Sequence, residues 1–115
     1  MFRKFKGLAL FLAFILLVVG LASCGQKKAD YTAAKAETAL NAGKDIEGKT
    51  VSFTVKKVVP DSAFGYNLEA GKHLNFTSSE NPKVKKGDKV TVKVKKVTSM
   101  MGSWIITYDD LEQNN

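Results

Sequence analysis

VSFTVKKV (51–58) and VTVKVKKV (90–97) share one pattern. They are identical at five of eight positions, and Ser52 against Thr91 is a close sixth. In each, valine or phenylalanine alternates with a polar residue over five positions, the period of a strand with one face buried. A Lys-Lys pair then interrupts the alternation, so that Val58 and Val97 fall on the opposite face. A flip of one residue in phase is what a bulge or sharp bend produces. Two long strands, each bent in the middle, are what a small barrel needs in order to close. Bends are therefore expected at Lys56-Lys57 and Lys95-Lys96, with the two strands paired.

Three further strands follow from the same period. Phe64, Tyr66 and Leu68 define the second, Leu74 and Phe76 the third, and Trp104, Ile106 and Tyr108 the fifth. Glu69-Ala70-Gly71-Lys72 reads as the hairpin turn between the second and third. The stretch SSENPKVKKGD (78–88) is a loop broken by Pro82. Upstream, Tyr31 to Ala42 is rich in helix formers, with Asp30 as its expected N-cap and Gly43 as its stop. In this register Phe64, Tyr66 and Phe76 point into the core, leaving Asn67, His73, Asn75 and Thr77 outside. The expected class is mainly β: a five-stranded barrel preceded by one short helix.

Five strands with the first and fourth long and bent resemble the oligonucleotide/oligosaccharide-binding (OB) fold. Residues 33–108 more closely resemble the OB-like families called tRNA-anticodon-like in bacterial envelope proteins. The matching features are the helix ending in Gly43, Gly48-Lys49 before the first strand, and Lys86-Gly87-Asp88-Lys89-Val90 before the fourth. The resemblance implies the fold more than an activity. The chain departs from many OB-folds in having a loop, not a helix, between the third and fourth strands.

The first segment has a different character. Arg3, Lys4 and Lys6 precede Gly7 to Ser23, seventeen residues without a charge. This is the layout of a secretory signal peptide, and it is short for a permanent span, which takes roughly 20 apolar residues. Leu21-Ala22-Ser23-Cys24 resembles the lipobox of bacterial lipoproteins. That resemblance implies a diacylglyceryl group on Cys24 and cleavage after Ser23. Two acyl chains would hold the mature protein stably on the outer face of the cytoplasmic membrane, where one chain alone binds marginally. The expected organisation is a signal peptide at 1–23, a lipidated tether at 24–30, and a helix-plus-barrel domain at 31–115.

The chain carries 18 Lys+Arg against 11 Asp+Glu, a formal charge of +7, with one histidine and one cysteine. A single cysteine permits no intrachain disulfide and no multi-cysteine zinc site. No phosphate-binding loop or His-x-x-x-His pair is present, and Asp109-Asp110 with Glu112 lacks the spacing of a calcium loop. His73 beside a turn is expected to face solvent. A non-catalytic role without a cofactor is therefore expected. Lys56, Lys57, Lys93, Lys95 and Lys96 fall on strands that neighbour each other in an OB barrel, and Lys83, Lys85, Lys86 and Lys89 extend them. A basic stripe of this kind is either a solvated face that discourages edge-to-edge pairing or a weak contact for anionic lipid or wall polymer. Sequence-specific nucleic-acid binding is not expected, because the mature part has no arginine for bidentate contacts. An oligonucleotide or oligosaccharide binder using the OB face is the alternative, and requires exposed aromatics on the second and third strands.

Overall fold

A computed structural model describes residues 28–114. The segment expected to be a signal peptide, the lipobox-like Leu21-Ala22-Ser23-Cys24 and residues 25–27 of the expected tether lie outside the described residues. The fold is mainly β, with one short helix. Its elements are β1 (Tyr31–Thr32), α1 (Ala33–Asn41), β2 (Thr50–Thr54), β3 (Lys57–Ser62), β4 (Gly65–Ala70), β5 (Leu74–Ser78), β6 (Lys89–Met100) and β7 (Ser103–Gln113).

The strands form one open seven-stranded sheet in the order β1-β2-β6-β7-β5-β4-β3. This corrects the expectation of a closed five-stranded barrel, for two physical reasons. First, the long opening strand is divided. Val55 and Lys56 leave the ladder: Val55 N–H donates to the Asp88 carbonyl at 2.9 Å, while Lys56 N–H donates to the Glu69 carbonyl at 2.8 Å. The chain is thereby passed from β6, which pairs with β2, to β4, which pairs with β3. β2 and β3 stand second and last in the order, yet three residue steps join Thr54 to Lys57 and span at most about 11 Å. The open ladder must curl until those two strands are that close.

Second, Tyr31 and Thr32 are not the first turn of the helix. They lie extended and pair in parallel with Val51 and Ser52. Asp30, the expected N-cap, instead grips Thr50. Its backbone N–H donates to Thr50 Oγ1 at 2.9 Å, and its carboxylate accepts from Thr50 N–H at 3.0 Å and from Thr50 Oγ1 at 3.2 Å. The Thr50 N–H holds the Asp30 carboxyl below its ordinary value. Thr32 takes over the cap, its hydroxyl accepting from Lys35 N–H at 3.3 Å.

β2 and the first half of β6 pair antiparallel, Thr50 to Thr54 against Lys93 to Lys89, as the two matched segments require. Leu68, Leu74, Phe76, Val51, Val90, Val92, Val94 and Ile106 are almost completely buried. Phe53 stacks on Phe76 with ring centroids 4.1 Å apart and planes within 10°. Alternation in each strand thus supplies one layer of a single core. The helix closes it with Ala36, Ala39 and Leu40. The buried Glu37 carboxylate fixes the helix to the β4–β5 turn, accepting from the N–H groups of Lys72 at 2.9 Å and His73 at 2.8 Å. Trp104 Nε1 donates to Asn41 Oδ1 at 3.1 Å and ties the helix end to β7.

Candidate binding groove

Two bulges shape the molecule beside β7. Val94 pairs with Tyr108 and Lys96 with Thr107, which leaves Lys95 as an extra residue in β6. Thr91 pairs with Glu112 and Lys93 with Asp109, which leaves an extra residue in β7, where Asp110 takes φ +53°. Each bulge bends its strand and turns side chains away from the regular alternation. Sequence reasoning places the first at Lys95-Lys96, in agreement, and has no signal for the second.

The β3–β4 hairpin supplies the opposite wall. Ser62 Oγ accepts from Phe64 N–H at 3.1 Å and donates to the Gly65 carbonyl at 2.6 Å, which tightens the Ala63-Phe64 turn. Phe64, expected to sit in the core, is 45% exposed at this turn. Asp61-Ser62 before it and Gly65 after it are turn formers that place Phe64 in a connection, not in a strand. Thr77, expected outside, is buried. The loop after β5 is held by its own side chains. Glu80 N–H donates to Ser78 Oγ at 3.1 Å, and Lys83 N–H to Asn81 Oδ1 at 2.8 Å.

These elements enclose a groove of about 790 Å³, lined by Phe64, Thr77 to Pro82, Lys95, Lys96 and Thr107 to Leu111. Its floor carries the Tyr108 hydroxyl, which is buried and makes no hydrogen bond of ordinary geometry. Burial raises the Tyr108 pKa, and the nearby Ser78 hydroxyl partly opposes the shift. Lys95 and Lys96 share the groove with Glu80, Asp109 and Asp110, so the charges are of both signs. Hydroxyls of Thr77, Ser78, Ser79, Thr107 and Tyr108 and the Asn81 amide complete the lining. Such a surface hydrogen-bonds neutral polar groups and offers an apolar ring face, and it lacks the single sign of charge that gathers polyanions.

The elevated Tyr108 pKa has a testable consequence. The neutral phenol is favoured by folding, so its contribution is complete below the unfolded value near 10 and is lost as pH rises through the higher folded value. Tyr108→Phe should therefore leave thermal stability at pH 8 nearly unchanged and reduce its fall between pH 9 and 11. Parallel melts with an identical alkaline fall in both proteins would contradict this.

The five strand lysines do not form one stripe. In the antiparallel register of β2 and β6, Thr54 lies opposite Lys89 and Thr50 opposite Lys93. Gly87 and Asp88 flank Val55, whereas Gly48 and Lys49 flank Val94. Lys56-Lys57 and Lys95-Lys96 are therefore eight or nine residues apart along the sheet, roughly 27–30 Å. Lys56 Nζ donates to the Gly71 carbonyl at 2.7 Å. Lys57 stands opposite Glu69, and Lys93 opposite Asp109. Lys95 and Lys96 belong to the groove, while Lys56 and Lys57 lie at the end that carries Lys85 and Lys86. Lys85 Nζ there is 3.4 Å from the buried Asp88.

His73 is exposed, as expected, with Nδ1 3.3 Å from Glu37. Sequence reasoning missed Glu37, whose role depends on the distant turn it receives. Among the described residues no cluster of histidine, cysteine and carboxylates has the arrangement of a metal site. No described helix is long and apolar enough to cross a membrane. Comparison of the chain with family models, with curated proteins and with solved structures finds no match.

Proposed function

We propose that this chain is a lipid-anchored extracytoplasmic binding module, non-catalytic, whose groove beside β7 receives a neutral, polyhydroxylated ligand of oligosaccharide type. One observation carries the choice of ligand. An exposed aromatic ring, Phe64, stands over a lining of hydroxyls that includes the buried Tyr108 hydroxyl, which has the Ser78 hydroxyl close to it. A sugar presents one apolar face for the ring and many hydroxyls for the floor. The parallel pairing of β5 with β7, and the division of one long strand between β6 and β4, support an OB-like reading of the curled sheet. The lipobox-like Leu21-Ala22-Ser23-Cys24 supports the anchor.

The test is an amide-shift titration with a neutral chitin fragment. Shifts are expected at Phe64, Ser79, Asn81 and Tyr108. Phe64→Ala should weaken binding about tenfold, the equivalent of losing one well-buried ring face. No shifts with the oligosaccharide, and tight salt-resistant shifts with single-stranded DNA, would replace this ligand by an oligonucleotide. The anchor is read by mass: the N-terminal peptide should begin at a diacylglyceryl Cys24, and Cys24→Ala should leave an intact precursor.

The lysine end supports a second, weaker contact. Lys56, Lys57, Lys85 and Lys86 gather around the Val55 and Gly87 bonds, four cations against the carboxylates of Glu69 and Asp88, a small positive excess that attracts phosphate-rich wall polymer weakly and in a salt-sensitive way.

A further inference from the structure

β6 and β7 form a long hairpin whose far part carries no charge. From Val97 to Tyr108 the sequence reads VTSMMGSWIITY, bounded by Lys95-Lys96 and Asp109-Asp110. At its tip Met101 is 98% exposed and Met100 41% exposed. Met101 has φ +49° and Gly102 φ +85°, the paired positive values of a tight hairpin turn. Asparagine, aspartate or glycine suits the first of these positions, so turn geometry does not ask for methionine there. The turn bears a cost that a polar residue would avoid, in order to present an apolar side chain to the outside.

The tether determines what lies opposite this tip. Asp30 is fixed beside Thr50, and Thr50 lies opposite Lys93. β1 runs parallel to β2, so the chain enters the sheet from the side of Lys49 and Gly48. That is the direction in which β6 runs to its tip. Six residues join Asp30 to Cys24 and reach at most about 20 Å. Met100 stands seven strand residues beyond Lys93, roughly 23 Å. The tether is therefore long enough for a bilayer that holds Cys24 to lie level with the hairpin tip, which the Lys95 bulge brings somewhat nearer than a straight strand would.

We propose that the Met100-Met101 tip is a second membrane contact, its thioether side chains buried in the interfacial layer of the bilayer that holds the chain near Cys24. The inference rests on the anchoring reading for the position of the bilayer. Methionine is unbranched and adaptable, and suits an irregular apolar medium. Trp104, two residues behind the turn, packs against the core with its N–H on Asn41 Oδ1, and so stands as a fixed reporter beside the tip and not as an anchor itself. Because the tether makes insertion intramolecular, a tip of low intrinsic affinity suffices. A lipid anchor alone leaves the domain free to tumble, and a second contact gives it one orientation. In that orientation the lysine end, at the other end of β6, points away from the bilayer.

Trp104 is the sole tryptophan and reports on the tip directly. The full chain, extracted with its anchor and reconstituted in phosphatidylcholine vesicles carrying a shallow nitroxide lipid, should show quenched Trp104 emission. Met100→Ser with Met101→Ser should shift the inserted fraction about tenfold per methionine and remove most of the quenching, while the protein still floats with the vesicles. Met101→Asn, which suits the turn, should lose quenching with its thermal midpoint unchanged or raised, and so separates insertion from folding. Floated protein with unquenched Trp104, or quenching equal in wild type and variants, overturns the proposal. The mass of the N-terminal peptide tests the anchor separately. An unmodified Cys24 would refute lipidation, and the quenching comparison on the protein that still floats would decide the tip separately.

Discussion

Phe76→Ala is expected to cost the domain about 3–5 kcal/mol, the range for deleting a large aromatic side chain from a core. Phe76 is completely buried, stacks on Phe53 at 4.1 Å, and sits in β5 between β4 and β7. The void would open where three strands and the Phe53 ring meet, a place that backbone hydrogen bonds prevent from collapsing. Domains of this size have total stabilities toward the lower part of the ~5–15 kcal/mol range, so most of the margin would go. Urea unfolding should show the midpoint falling by about 3–5 M at an unchanged slope near ~1 kcal/mol/M. Lys57→Ala, on an exposed edge position, should stay within about 0.5 kcal/mol. A loss below ~1 kcal/mol for Phe76→Ala would mean that the core is not packed as described.

The strands and their inward residues were readable because alternation is a local signal. Val51, Phe53, Val55, Val90, Val92 and Val94 are all buried, as the two matched segments require. The Lys-Lys interruptions marked real irregularities, a break at Val55-Lys56 and a bulge at Lys95. What the pattern did not carry is what each break does. A flip in phase is equally consistent with a bend inside one strand and with a strand handed from one neighbour to another. Only the bonds of Val55 to Asp88 and Lys56 to Glu69 select the second. The helix start failed for a related reason. Asp30 is a good cap by composition, but Thr50, twenty residues away, offered it a closed set of three hydrogen bonds.

The lysine stripe failed on symmetry. Two matched segments that pair antiparallel place their equivalent positions at opposite ends, because the register runs one forward against the other backward. Similar sequence therefore separates the two Lys-Lys pairs instead of joining them. The groove was illegible for another reason. It depends on Phe64 leaving the core for a turn and on Asp110 at positive φ, both set by contacts between segments far apart in the chain.

Gly65→Ala is expected to abolish the proposed oligosaccharide binding and to destabilise the domain by about 2–4 kcal/mol, combining a strained backbone with displacement of the hairpin. Gly65 has φ +98°, and a Cβ there would lie 2.5 Å from the Ser78 carbonyl oxygen, 3.2 Å from its carbon and 3.4 Å from Ser79 Cα. All three are backbone atoms, so no rotamer relieves the contact. β4 must move away from the end of β5, and with it go Phe64 on one wall of the groove and Ser78 on its floor. Gly87→Ala separates the two causes. Gly87 has φ +94° and nothing within 4 Å of a built Cβ, so it bears the strain without the collision. Its N–H to the Val55 carbonyl survives the substitution, and it lies outside the groove. Gly87→Ala should therefore lose only about 1–2 kcal/mol and keep full oligosaccharide affinity. If the two variants lose stability equally and both still bind, the close approach of β4 to Ser78 does not build the site. If both lose binding equally, the loss follows general destabilisation. Only the divergence between them ties the ligand to the hairpin wall, because the one chemical difference is what the new methyl group meets.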